Sequence, residues 1–493
     1  MITVAHGSPS SSVLNSALAW LSAAYGDDPL HDLAPLRHHL RGIAGAGTDT
    51  GRRIPLLGLF QKRADAINRS LKTLLHRSSL PLAPRLRLIA QGLTDVHGLL
   101  ASTLLEAARS PEGAAAETAA DVLRNLAEQQ QVALMAAANP PAEIWRQAQF
   151  AYSLLKHCPP NLAAPGERIF KGMLALAAAQ PETFVGHEIA FLIDYLREFA
   201  GAVTLDPNPK GPLETWYWLD ENRALPPVAA TRRPPPVGGK TLYFSCAGLA
   251  QATDEHLRRL AAGETAAALG LPADAASADD RLVLGRAQAH WASPPRRRHH
   301  HRPSSYAVEI CPELDRLWDL LKRSGGGDIA STPKPLTKWM VLNESPGGFA
   351  MMHLSGAVSG LVSGGALGLR TSPERPWNIC LVRWARSNDA KHVEVGLELI
   401  APAAAPVQIV RRDNTTRSRL APALLLRTGH GHHRHESLLT YRSGIASRPF
   451  TMITEPNGRV QLTECQVHRP ALQTASVEIL EFMRDFSPSW GLS

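Results

Sequence analysis

Residues 294–310 read PPRRRHHHRPSSYAVEI and residues 338–348 read KWMVLNESPGG; these two stretches decide how the second half of the chain folds. In the first, two prolines restrain the backbone, Arg296, Arg297, Arg298 and Arg302 crowd around three histidines, and residues 305–310 then alternate as a strand does. A guanidinium offers planar paired donors to phosphate oxygens and can lie flat on a purine, so the segment suits an anion. Taken by itself it suits a solvated basic link between domains equally well. The second stretch is a strand, residues 338–342, that ends in Asn343-Glu344-Ser345-Pro346-Gly347-Gly348. Short polar side chains followed by glycines make a tight cup able to meet the edge of a base, although the same residues also serve ordinary strand-to-strand turns.

Working outward, residues 366–370, 378–385 and 392–400 alternate with period two between Gly, Ser and Pro, which predicts an antiparallel β-domain. Further strands are expected at 423–427, 437–441, 450–454, 459–463 and 476–482, with Pro456-Asn457-Gly458 as a hairpin turn. Upstream the period changes to 3.6. Phe60, Ala64, Ile67, Leu71 and Leu74 fall on one helical face, and prolines at 140–141, 159–160 and 181 punctuate a series of alanine-rich helices up to about residue 200. Residues 224–240 (ALPPVAATRRPPPVGGK) favour extended backbone, as a linker or a strap laid across a surface. Beyond it come one strand (241–245) and two amphipathic helices (253–269 and 278–291). The expected class is therefore an α+β multidomain chain: a helical bundle or irregular array at 1–222, a Pro-rich linker at 223–240, a small α/β connecting region at 241–293, a β-barrel at 294–410 and a β-rich extension at 411–493.

Composition sets the outer limits. The 493 residues exceed one ordinary core, and 44% apolar against 19% charged residues excludes a wholly disordered chain. Lys and Arg number 52 against 44 Asp and Glu, a net charge of +8 that favours an anionic partner without choosing one. Five widely spaced cysteines with no C-x-x-C pair argue against a disulfide framework or a cysteine zinc site. A reducing, cytoplasmic setting is expected. The early apolar stretch at 16–26 reads as a soluble helix, and no run of 18 apolar residues predicts a membrane span.

The basic run and the polar turn together resemble a known family. R-x-x-x-R (Arg298 and Arg302) before a small barrel, followed by [D/N]-x-S-x-x-G (Asn343, Ser345 and Gly348), is similar to the signature of PilZ domains, and residues 378–400 look like closing PilZ strands, with Gly396 at the expected glycine. The resemblance spans roughly 294–410 and does not extend to the helical half. It implies a bacterial receptor for the second messenger cyclic di-GMP, with no catalytic residues and no further cofactor, that passes the signal to a protein effector in motility, biofilm or a related output. In that reading Arg298 and Arg302 clamp phosphate and guanine acceptors, Asn343 and Ser345 meet a guanine edge, and Gly348 admits close backbone approach. Arg296 and Arg297 become candidates for a second ligand molecule. One departure marks an atypical member. Residues 312–323 (PELDRLWDLLKR) predict an inserted helix before Gly325-Gly326-Gly327, and its stripe of Leu314, Leu317, Trp318 and Leu321 is either a plug for the barrel or a contact with the helical half.

Other signals carry less. His430, His432, His433 and His435, and the run His299 to His301, lack a carboxylate or cysteine at ligand spacing, so no metal site is expected. Trp216, Trp218 and Trp291 read as core aromatics. No nucleophile elbow, phosphate loop, dinucleotide fingerprint or H-E-x-x-H occurs, which argues against an enzyme. The rival is a nucleic-acid-binding protein using residues 296–302 with Arg411, Arg412, Arg417 and Arg419. It leaves the Asn-x-Ser-x-x-Gly turn without a role.

Overall fold

A computed structural model describes residues 9–23, 28–45, 50–76, 78–108, 116–296, 299–324, 336–358, 360–387, 392–411, 419–428, 435–442, 449–455 and 459–484. The alanine-rich periodicity resolves into α1 (Pro9–Ser22), α2 (Leu33–Gly45), α3 (Thr50–Leu75), α4 (Pro84–Ala108), α5 (Ala116–Met135), α6 (Glu143–Leu155), α7 (Pro160–Ala178) and α8 (Gly186–Phe199). Phe60, Ala64, Ile67 and Leu71 of α3 are buried as the period requires, but the stripe ends on Leu75, and Leu74 is half exposed. Steps of four and three drift around a helix of 3.6 residues per turn, so the seam moves on by one position. Helix α4 has the length and apolar composition of a bilayer-crossing segment; here Leu93, Val96, Leu100 and Ala101 are buried within the helical array.

The Pro-rich stretch is tied down. Strands β1 (Thr204–Asp206), β2 (Tyr217–Asp220), β3 (Val228–Ala229) and β4 (Thr241–Ser245) form a sheet in the order β1-β4-β2-β3, and β3 comes from inside the expected linker. The indole of Trp218 donates to the carbonyl of Arg233 at 2.8 Å, fixing the strap further along. Helices α9 (Ala247–Ala261) and α10 (Ala278–Ala292) follow. Helix α9 stops earlier than its amphipathic pattern suggests because Gly263 takes φ +97°, a left-handed backbone that ends a helix without strain only at glycine. Trp218 and Trp291 are buried, as core aromatics are.

The remainder of the chain forms two barrels. The first contains β5 (Arg302–Pro312), β6 (Thr337–Ser345), β7 (Gly348–Ser355), β8 (Ala366–Arg370), β9 (Asn378–Arg386) and β10 (Glu394–Ala401), closed in the order β10-β7-β6-β5-β8-β9. The second contains β11 (Ala404–Arg411), β12 (Arg419–Thr428), β13 (His435–Tyr441), β14 (Pro449–Thr454), β15 (Gln461–Gln473) and β16 (Val477–Arg484), closed in the order β11-β12-β13-β16-β15-β14. Each pairs its strands in the same cyclic sequence: first, second, third, sixth, fifth, fourth. The β-rich extension is thus a closed barrel of the same topology as its neighbour, and it begins at Ala404 rather than after residue 410. Arg411 and Arg419 are register partners across β11 and β12, whereas Arg412, Arg417, the histidines at 430, 432 and 433, Gly325 to Gly327 and the expected turn at 456–458 lie outside the described residues.

Between β5 and β6 stands the inserted helix, α11 (Leu314–Ser324). Its stripe is neither exposed nor a plug for one barrel alone. Leu314 and Leu317 share one buried cluster with Cys311, Trp377 and Ile379 of the first barrel and with Leu424, Leu426, Leu439 and Val477 of the second. The Trp318 indole donates to the carbonyl of Val407 on β11 at 2.7 Å, and Lys322 pairs with Glu455 at 3.2 Å. Gly368 lets the helix sit this close: a Cβ there would fall 2.5 Å from Leu317.

Candidate ligand site at the mouth of the first barrel

Strand pairing brings the two quoted stretches together. In the β5–β6 register Arg302 stands opposite Glu344 and Pro303 opposite Asn343; Ser345 and Gly348 then close the two-residue turn of Pro346 and Gly347. A cavity of about 440 Å³ opens there, lined by His299, His300, Arg302, Glu344, Ser345 and Pro346. The His301 ring nitrogen Nδ1 lies 3.0 Å from Asn343 Oδ1, so the carbonyl side of Asn343 is already engaged and its amide NH2 is the group left to offer. Ser345 Oγ donates to the carbonyl of Gly348 at 3.4 Å, which steadies the turn.

Glu344, at the variable position of the motif, is the best-held group in the cavity. Ser304 donates to its Oε1 at 3.0 Å and Tyr306 to its Oε2 at 2.6 Å. These two hydrogen bonds, with the Arg302 charge adding to them, lower the Glu344 pKa below the ordinary glutamate range. Burial, reinforced by the same carboxylate, pushes the Tyr306 hydroxyl up to about 12, so it keeps its proton and donates at neutral pH. Glu344, Ser304, Tyr306, His299 and His300 were not among the site residues expected from sequence. The available signal was the polar pair at alternate positions, 304 and 306, in a strand that otherwise buries apolar side chains.

Of the expected residues, Arg302 and Ser345 line the cavity, and Asn343 sits one register step from Arg302. Arg297 and Arg298 lie outside the described residues. The side chain of Arg296 pairs with Glu214 at 3.1 Å. Gly348 answers to a different neighbour from the one expected: a Cβ there would fall 2.0 Å from the Leu397 carbonyl on β10, so glycine is required for barrel closure. Gly347 performs the looser version of the expected role, since a Cβ at that position would meet the His299 ring at 3.3 Å. Among the described residues no three His, Cys, Asp or Glu side chains converge as a metal set would.

Two family models match the chain. One, the N-terminal domain of the cyclic-di-GMP receptor FimW, covers residues 15–210; the other, the middle PilZ domain of the same receptor, covers residues 324–406. The middle of the chain is a PilZ domain. The PilZ match takes in β6 to β10 with the Asn-x-Ser-x-x-Gly turn, and it begins after β5 and the arginine run that precedes it. A curated relative, the cyclic-di-GMP receptor FimW of Pseudomonas aeruginosa, is 31% identical over 127 residues, a match that covers 25% of this chain and 19% of the relative. Most of that receptor's length lies outside the match.

Proposed function

We propose that the cavity at the mouth of the PilZ barrel binds cyclic di-GMP and that the chain is a second-messenger receptor. The observation that carries this reading is the β5–β6 register, which sets Arg302 opposite Glu344 and so brings Arg302 and Ser345 to one cavity, with Asn343 one register step away, although they are far apart in sequence. The name of the P. aeruginosa relative points the same way. Arg302 takes a phosphate, with Arg298 and Arg297 on the adjoining segment as further cations; the Asn343 amide and Ser345 hydroxyl meet the base. Charge-assisted contacts of about 1.5–3 kcal/mol each, set against ordering costs of several kcal/mol, give a binding free energy near −8 kcal/mol, in the micromolar range. The effector is a cytoplasmic protein partner, and the output is motility, biofilm formation or a related process.

Calorimetric titration of the full chain tests the reading. Cyclic di-GMP should bind with micromolar or better affinity, and GTP, cyclic AMP and a short DNA duplex far more weakly. Equal binding of all four would make the site a generic anion patch.

A further inference from the structure

Glu344 has no part in the reading above, yet its carboxylate lines the same cavity directly across from Arg302. An anion placed where a dianionic ligand is to bind opposes the phosphates, so its usefulness must lie in what else the ligand presents. A carboxylate can only accept hydrogen bonds, and each oxygen has two lone-pair directions. Ser304 and Tyr306 occupy one direction on each oxygen, at 3.0 and 2.6 Å. That arrangement restrains the plane of the group, and each oxygen keeps one further acceptor direction.

The two oxygens of a carboxylate can take two parallel donors at once. Guanine presents such a pair on its Watson–Crick edge, the ring N1–H beside the exocyclic N2 amine, whereas adenine presents a donor beside a bare ring nitrogen that a carboxylate repels. Fork-to-fork pairing of this kind adds geometric specificity to its energy. The sign of the charge fits as well: an ionised carboxylate rewards donors most, and the two hydroxyl donors together with Arg302 favour the ionised form.

We infer that Glu344 is the guanine-reading residue of the cavity, its two oxygens accepting N1–H and N2–H of one base of the ligand while the Arg302 side takes phosphate. Tyr306 and Ser304 are positioning residues that hold the carboxylate in the plane the base requires. This inference rests on the receptor reading and adds the source of its base selectivity.

The test measures a ratio of affinities in the full chain. Cyclic di-GMP, cyclic di-IMP (which keeps N1–H and lacks the N2 amine) and cyclic di-AMP are titrated against the parent and Glu344→Gln, with thermal melting as a fold control. The parent should bind cyclic di-IMP roughly tenfold or more weakly than cyclic di-GMP, the effect of one lost bond to a charged acceptor. Glu344→Gln turns one acceptor into a donor and should bring the two affinities to within about threefold, by weakening cyclic di-GMP. A variant that binds cyclic di-GMP and keeps the parental ratio overturns the role of Glu344 and leaves the receptor reading standing. A parent that does not bind cyclic di-GMP overturns both. If Glu344→Gln fails to fold, Tyr306→Phe carries the test: it keeps the carboxylate and frees its orientation, so the ratio should shrink about threefold or more, and an unchanged ratio refutes the mechanism.

Discussion

The two barrels pair their six strands in the same cyclic order, but they are equipped differently at the mouth. In the first, the opening strand follows a histidine and arginine segment, and the turn between its second and third strands carries Ser345 to Gly348 against that segment. In the second, only Pro402 and Ala403 separate β11 from the strand before it, so no arginine precedes its opening strand. The first barrel also carries a helix after its opening strand, where the second has the seven residues 412–418. Closing six strands supplies a scaffold; the cavity comes from what is attached at the mouth.

The shared core gives the sharpest way to break this comparison. Leu317→Ala removes a fully buried side chain from the cluster that the two barrels share and should cost about 2–5 kcal/mol in denaturant unfolding. Hydrogen exchange should quicken in both barrels; loss of protection in the first alone would mean two separate cores.

Next in size is Arg302→Ala, which should cost about 2–4 kcal/mol of cyclic di-GMP binding and leave melting unchanged, because the side chain is exposed. Saturable binding that persists at parental affinity would transfer the site elsewhere in the chain, the second barrel included.

Gly348→Ala should lower stability by about 1–3 kcal/mol, since its Cβ collides with the Leu397 carbonyl. A variant that melts normally would show that β7 and β10 can part without cost. The smallest effect belongs to Ser345→Ala, at about 1 kcal/mol of ligand binding and little stability. A loss equal to that of Arg302→Ala would give the turn the weight assigned here to charge.

Most strands of the first barrel and two residues of its cavity, Arg302 and Ser345, are legible in the sequence because turns and basic runs demand particular residue types. The arginines and the Asn-x-Ser-x-x-Gly turn stand out for that reason. Strand β7 does not, since its centre of Met351, Met352 and His353 lacks β-branched residues and owes its conformation to its neighbours. Strand β11 opens on Ala-Ala-Pro and is likewise fixed by pairing, with β12 on one side and β14 on the other. Gly348 shows that the need for a glycine can be read from sequence while its cause cannot, because Leu397 approaches from a strand that arrives 49 residues later. The amphipathic pattern of α11 is equally plain. Its second partner depends on a barrel whose closure is long-range and so leaves no local trace.

The buried seam around α11 bears on how this protein can be handled in pieces. The PilZ match stops at residue 406, inside β11, and a fragment ending there would lose Leu424, Leu426, Leu439, Val477 and Ile479 from the face that covers Leu314 and Leu317. Such a fragment carries a freshly bared oily surface beside an unpaired strand, the combination that drives chains into aggregates. Insolubility of that fragment would report where the cut was made and nothing about the ligand. Any piece meant to report on the cavity has to keep both barrels.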